Sequence, residues 1–93
     1  MRLTWDEGKG RDNLAKHGVS FERARLVFDD PHHISDVDPY EGEERWRTLG
    51  LVNGVVILMV VHTEEEQDGE EEIRIISARK ATRDEREAYE NSL

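Results

Sequence analysis

Apolar and polar residues change their spacing several times along this chain, and each change marks a structural element. Leu3 and Trp5 alternate with polar neighbours, the pattern of a short edge strand. Asp6 fits a helix N-cap with Glu7 in the first turn, so a helix is predicted to run to about His17. Leu14 is its clear apolar position, and Gly18 fits the cap that ends it. Ser20 fits the next N-cap. A second helix from Phe21 to Phe28 turns Phe21, Ala24, Leu26, Val27 and Phe28 mostly inward, and Asp29-Asp30-Pro31 ends it.

Beyond Pro31 the period shortens toward that of strands. Ile34 and Val37 outline an edge strand, and Asp38-Pro39-Tyr40-Glu41-Gly42 has turn chemistry. Glu44 to Leu51 alternates loosely, with Arg45 and Arg47 on one face and Trp46 and Thr48 on the other. Asn53-Gly54 is a tight-turn signal, Val55 to His62 reads as a central buried strand, and Gln67-Asp68-Gly69 marks another turn. Ile73 to Ala78 is the last strand. Thr82 with Glu85 forms a capping box for a helix from about Arg83 to Glu90, whose thin apolar face offers Ala88 and Tyr89. The connections after residue 44 are too short for crossover helices. The expectation is one α+β domain over residues 1–93: N-terminal helices, an antiparallel meander sheet and a C-terminal helix.

Charge changes this picture. The chain carries 22 acidic and 13 basic side chains, a net charge of −9. Residues 31–72 hold twelve acidic side chains against two basic ones, whereas the flanking segments are close to neutral. The dense patch Glu64, Glu65, Glu66, Asp68, Glu70, Glu71 and Glu72 repels nucleic acid; it reads as a solvated hairpin loop or as a docking surface for a basic partner. The absence of cysteine excludes a disulfide framework and a thiolate zinc site. Met1 to Trp5 is too short and polar to open a signal peptide, and Val55 to Val61 is too short to span a bilayer. A cytoplasmic protein without a membrane segment is expected.

The candidate chemistry lies in the cations. No glycine-rich phosphate loop occurs, so no nucleotide cofactor is expected. Adjacent His32 and His33 on a strand would point to opposite faces, so no metal site is expected there. Ser35 and Ser77 lack a nucleophile's partner by spacing. In the last strand, Arg74 shares Ile76's face, opposite Ile73 and Ile75, and Arg79 and Lys80 follow where the strand ends. Such a cluster suits an RNA phosphate, because fixed cations stabilise the charge that develops as a 2′-hydroxyl attacks phosphorus without a metal. Arg45 and Arg47 are further candidates, and His62 is available as the proton-transfer group. His17, beside Gly18, reads as a helix cap, and Tyr89 as packing.

These residues resemble a known family. Trp5-Asp6-Glu7, Lys9, Asn13, Lys16-His17-Gly18-Val19-Ser20-Phe21-Glu22, Ala24, Val27-Phe28 and Asp30-Pro31 are similar to the opening of BrnT toxins. Glu44-Arg45, Gly50 and Val60-Val61-His62-Thr63 resemble the middle, and Arg74-Ile75-Ile76-Ser77-Ala78-Arg79-Lys80-Ala81-Thr82 with Glu85 and Tyr89 the close. The resemblance implies a RelE/ParE-like toxin fold and a ribonuclease that halts translation. It also implies a BrnA-like ribbon-helix-helix antitoxin, through which alone the complex touches DNA. It makes Arg45, Arg74, Arg79 and Lys80 the natural site candidates. The chain departs from the family pattern at Glu65, where arginine is usual, and in its expanded acidic turn. Two further readings stay open: a toxin-fold protein that only completes a repressor complex, and a small acidic nucleic-acid mimic.

Overall fold

The computed structural model describes all residues 1–93. Its elements in chain order are β1 (Arg2–Thr4), α1 (Glu7–His17), α2 (Phe21–Ala24) with a 3-10 helix (Arg25–Asp29), β2 (Ile34–Val37), β3 (Trp46–Val52), β4 (Val56–Gln67), β5 (Glu70–Lys80) and α3 (Arg83–Asn91). The five strands form one sheet in the order β1-β5-β4-β3-β2. Strands β2 to β5 pair antiparallel, but β1 lies parallel to β5, so the sheet is mixed rather than a pure antiparallel meander. A parallel neighbour is possible here because α1, α2 and three strands separate β1 from β5 in the chain. No helix is long and apolar enough to cross a membrane.

The caps explain where the helices begin. The Asp6 side chain accepts from the Lys9 amide at 2.9 Å, the Ser20 hydroxyl from Arg23 at 3.1 Å, and Thr82 and Glu85 bond reciprocally at the start of α3. The expected second helix is split, its last turn tightening into the 3-10 helix before Pro31. Leu14, the clear apolar position of α1, is exposed; the buried residue of α1 is Asn13. Its amide donates to the Val19 carbonyl (2.8 Å) and the Ala78 carbonyl (2.9 Å) and accepts from the Ala78 amide (3.1 Å). Strand β1 pairs with β5 only at residues 72–74, so Asn13 takes the place of a missing strand partner at Ala78.

Alternation divides the sheet into two faces. Val52, Leu58, Val60, Ile75 and Ala78 pack against Val19, Phe21, Ala24 and Val27 from the helical layer, with Trp5 and Phe28 at the margin. Gly50 lies on this face because a Cβ there would come within 2.9 Å of the Val27 backbone. On the opposite face α3 covers one end only: Tyr89 and Ala81 pack with Ile57, Ile34 and Leu49. The Tyr89 hydroxyl donates to Asp30, which also accepts from the Leu51 amide at 2.7 Å and the His32 amide at 2.9 Å. Burial pushes the Tyr89 phenol up to about 12, and Asp30 adds to the shift. Burial works to raise the Asp30 carboxyl as well, but the donors from Tyr89, Leu51 and His32 together hold it below its usual range.

Candidate functional site

A β-bulge in β5 decides which cations meet. Val61 opposes Ser77 and His62 opposes Ile75, which leaves Ile76 as an extra residue. Strict alternation would set Arg79 on the side of Ile73 and Ile75, against the helices. The extra residue resets the phase, so Ala78 follows Ile75 into the core and Arg79 joins Arg74 on the other face. There the pairing aligns Arg79, Met59, Leu49 and Ile34 in one row and Ser77, Val61, Arg47 and Asp36 in the next. Thr63 and Arg74 form the following row, which Arg45 extends just before β3. With strands about 4.8 Å apart and same-face residues about 6.7 Å apart along a strand, the four arginines ring the half-buried Val61 and Ser77.

Each arginine is held by a carboxylate. Arg79 makes a bidentate pair with Glu85 at 2.7 and 3.1 Å, which pulls the Glu85 carboxyl below its usual range. Glu85 also accepts from the Thr82 amide at 2.8 Å, so one carboxylate starts α3 and orients Arg79. Arg47 is paired to Asp36 at 2.8 Å. Glu43, on the segment between β2 and β3, contacts Arg74 at 3.0 and 3.1 Å and Arg45 at 3.4 Å. The Arg45 guanidinium lies 3.7 Å over the Tyr40 ring, and its buried Nε has no partner. Beside the ring of arginines, a cavity of about 310 Å³ is lined by Ile34, Leu49, Met59 and Ala88 together with Ser35, Asp36, Arg47, Asp84 and Glu85.

Two expected site residues are elsewhere. Lys80 pairs with Leu58 and so takes the helical side of the sheet, at an exposed position. His62 is fully buried on that same side and is not among the cations. Its Nε2 meets the Thr48 hydroxyl at 2.7 Å, its Nδ1 lies 3.3 Å from the Thr63 carbonyl, and its ring packs edge-on to Phe28. The Thr48 hydroxyl continues to Ser35 at 2.7 Å. Burial pushes the His62 imidazole below its ordinary pKa, against the raising effect of the Thr63 carbonyl. These facts make His62 a neutral core group. The even position that made it a central-strand residue also pointed it inward, with Leu58 and Val60. His17 is exposed in the last turn of α1, His33 bonds the Asp30 carbonyl, and no three His, Asp or Glu side chains gather at metal-binding spacing.

The carboxylate partners Glu43 and Asp36, and the Tyr40 stack, are absent from the expectations drawn from the sequence. Only the adjacent Ile75-Ile76 pair hinted at the bulge, because it breaks the apolar alternation. The family model described as ribonuclease toxin, BrnT, of type II toxin–antitoxin system matches residues 5–85. The crystal structure of the Brucella abortus ribonuclease toxin BrnT is similar at 29% identity with a TM-score of 0.62, over 89% of this chain and 99% of that one. No protein of curated function matches.

Proposed function

Because the chain belongs to the BrnT family of ribonuclease toxins of type II toxin–antitoxin systems, and so has an antitoxin partner, we propose that it is a metal-independent endoribonuclease that cleaves RNA and halts translation. The observation that supports this reading is that Arg45, Arg47, Arg74 and Arg79 share the open face of the sheet. The substrate's 2′-oxygen bonds to phosphorus and the 5′-oxygen leaves, giving a 2′,3′-cyclic phosphate and a free 5′-hydroxyl. The 2′-hydroxyl proton passes to solvent and the leaving oxygen takes one back. Arg45, Arg74 and Arg79 stabilise the charge growing on the phosphoryl oxygens, and Arg47 binds the flanking backbone. His62, buried beneath the far face, holds Thr48 rather than transferring a proton. The scaffold is read as RelE/ParE-like, the partner as a BrnA-like ribbon-helix-helix antitoxin that supplies the complex's DNA contacts, and the location as cytoplasmic.

A second reading has its own support: every one of the four arginines is already paired, and the neighbouring hairpin is acidic. Such a protein would bind its antitoxin and complete a repressor while cleaving little. Purified chain incubated with RNA in excess EDTA separates the two. Cleavage that Arg79→Ala lowers at least about a hundredfold, with the fold retained, supports the ribonuclease. Intact RNA beside tight antitoxin binding supports the second reading.

A further inference from the structure

We propose that Glu43 is a built-in competitor of the RNA phosphate: it occupies the phosphodiester position between Arg45 and Arg74, and residues 39–44 must swing aside before RNA binds, while the Asp38 amide stays bonded to the Arg45 carbonyl. The inference rests on the ribonuclease reading and adds a gate to the same site. Three observations carry it. First, the Glu43 carboxylate is the one anion that touches both arginines, from an exposed position on a segment without regular structure. Second, it fits them unequally. Both of its oxygens lie on Arg74 Nη2, at 3.0 and 3.1 Å, which leaves Arg45 a single 3.4 Å contact and a buried Nε without a partner. A phosphodiester free to settle between the two offers one non-bridging oxygen to each guanidinium, a division that Glu43, fixed to its own backbone, does not make here. Third, the segment is latched at a second point. Tyr40 stacks on Arg45, and its ring lies where a side chain at residue 42 would stand, so that a Cβ on Gly42 would collide with it.

The latch is weak enough to open. Glu43 and Arg74 are both partly exposed, so water replaces their contact at small cost. Tyr40 is half exposed and stacks through one cation–π contact. A gate of this kind keeps the arginines oriented while RNA is absent, and it sets a threshold that only a polyanion with several phosphates overcomes.

The test measures binding of a 2′-O-methyl RNA oligonucleotide, which cannot be cleaved, by fluorescence anisotropy. Glu43→Gln is expected to tighten binding about fivefold, the scale of a partly exposed ion pair. Gly42→Ala, which pushes Tyr40 off Arg45 without touching Glu43, is expected to move affinity the same way. The gain disappears when Arg74→Ala is combined with Glu43→Gln. Unchanged or weaker binding by Glu43→Gln overturns the proposal, as does a loss of cleavage with unchanged affinity, which would make Glu43 a proton acceptor. Cleavage of unmodified RNA is followed separately. Tighter binding with no cleavage by any form keeps the gate and removes the ribonuclease.

Discussion

Burial disfavours a charged imidazole, and this bias shapes the work of His62. The ring joins Thr48 on β3 to the β4 backbone at Thr63 and packs on Phe28, so it ties the 3-10 helix to the sheet. Its pKa lies below the ordinary 6.5, with burial as the main cause. The unfolded chain therefore takes up a proton before the folded one does. The stability that His62 contributes is whole above pH 6.5 and is lost as the pH falls toward the lower folded value. Urea unfolding between pH 7.5 and 5.5 is expected to show this as a slope of at most about 1.4 kcal/mol per pH unit. His62→Gln keeps a partner for Thr48 but cannot titrate, so its slope should be shallower by up to one proton. Equal slopes in the two proteins would mean that His62 is not the group responsible.

At the scale of elements, the C-terminal helix shows how little apolar surface is needed when a polar anchor is well placed. Tyr89 is the one buried side chain of α3, and its hydroxyl ends on Asp30, which is also bonded to the backbones of β3 and the β2 approach. Tyr89→Phe is expected to lower unfolding free energy by about 1–2 kcal/mol, because it removes one hydrogen bond to a charged acceptor while keeping the ring. It also takes away the first of the donors that hold the Asp30 carboxyl low, so acid unfolding should begin at a higher pH. An unchanged urea midpoint and acid transition would show that the contact is made with no net gain over water. Much of this architecture was legible. Asp6, Ser20 and Thr82 cap helices where the sequence placed them, and Asn53-Gly54 and Asp68-Gly69 turn the chain through left-handed residues. The bulge was not legible as a position, since either isoleucine of the Ile75-Ile76 pair can be the extra one and only the pairing with β4 decides. The parallel β1 was hidden for a related reason: three residues carry too few alternations to reveal their partner. The four arginines were visible as residue types, but their shared face depended on that bulge, and Lys80 and His62 followed alternation to the other side.

Across the whole molecule, a face bearing four arginines belongs to a protein of net charge −9. The β4–β5 ribbon beyond Thr63 places Glu65 opposite Glu72 and Glu66 opposite Glu71, like charges that oppose pairing. Glu72 is relieved by Arg2, whereas the Glu64 carboxyl is pushed up by burial and, after that, by Glu71 and by Glu44 from the segment that bears the Glu43 gate. The ribbon and the segment between β2 and β3 thus concentrate negative charge at one end of the sheet, on both of its faces. A field slows the approach of RNA and speeds that of a basic partner, and both effects fade once the Debye length falls below the separation, about 10 Å at 0.1 M salt and 3 Å at 1 M. Glu65→Arg makes the protein two charges less negative and gives Glu72 an opposite charge across the ribbon. It is expected to raise the association rate with RNA several-fold at 20 mM salt and to have almost no effect at 1 M. For a basic antitoxin segment the same substitution should slow association at low salt. An RNA gain of equal size at both salt concentrations would mean that the new arginine touches the RNA directly. The acidic ribbon would then act by a local contact rather than by its field.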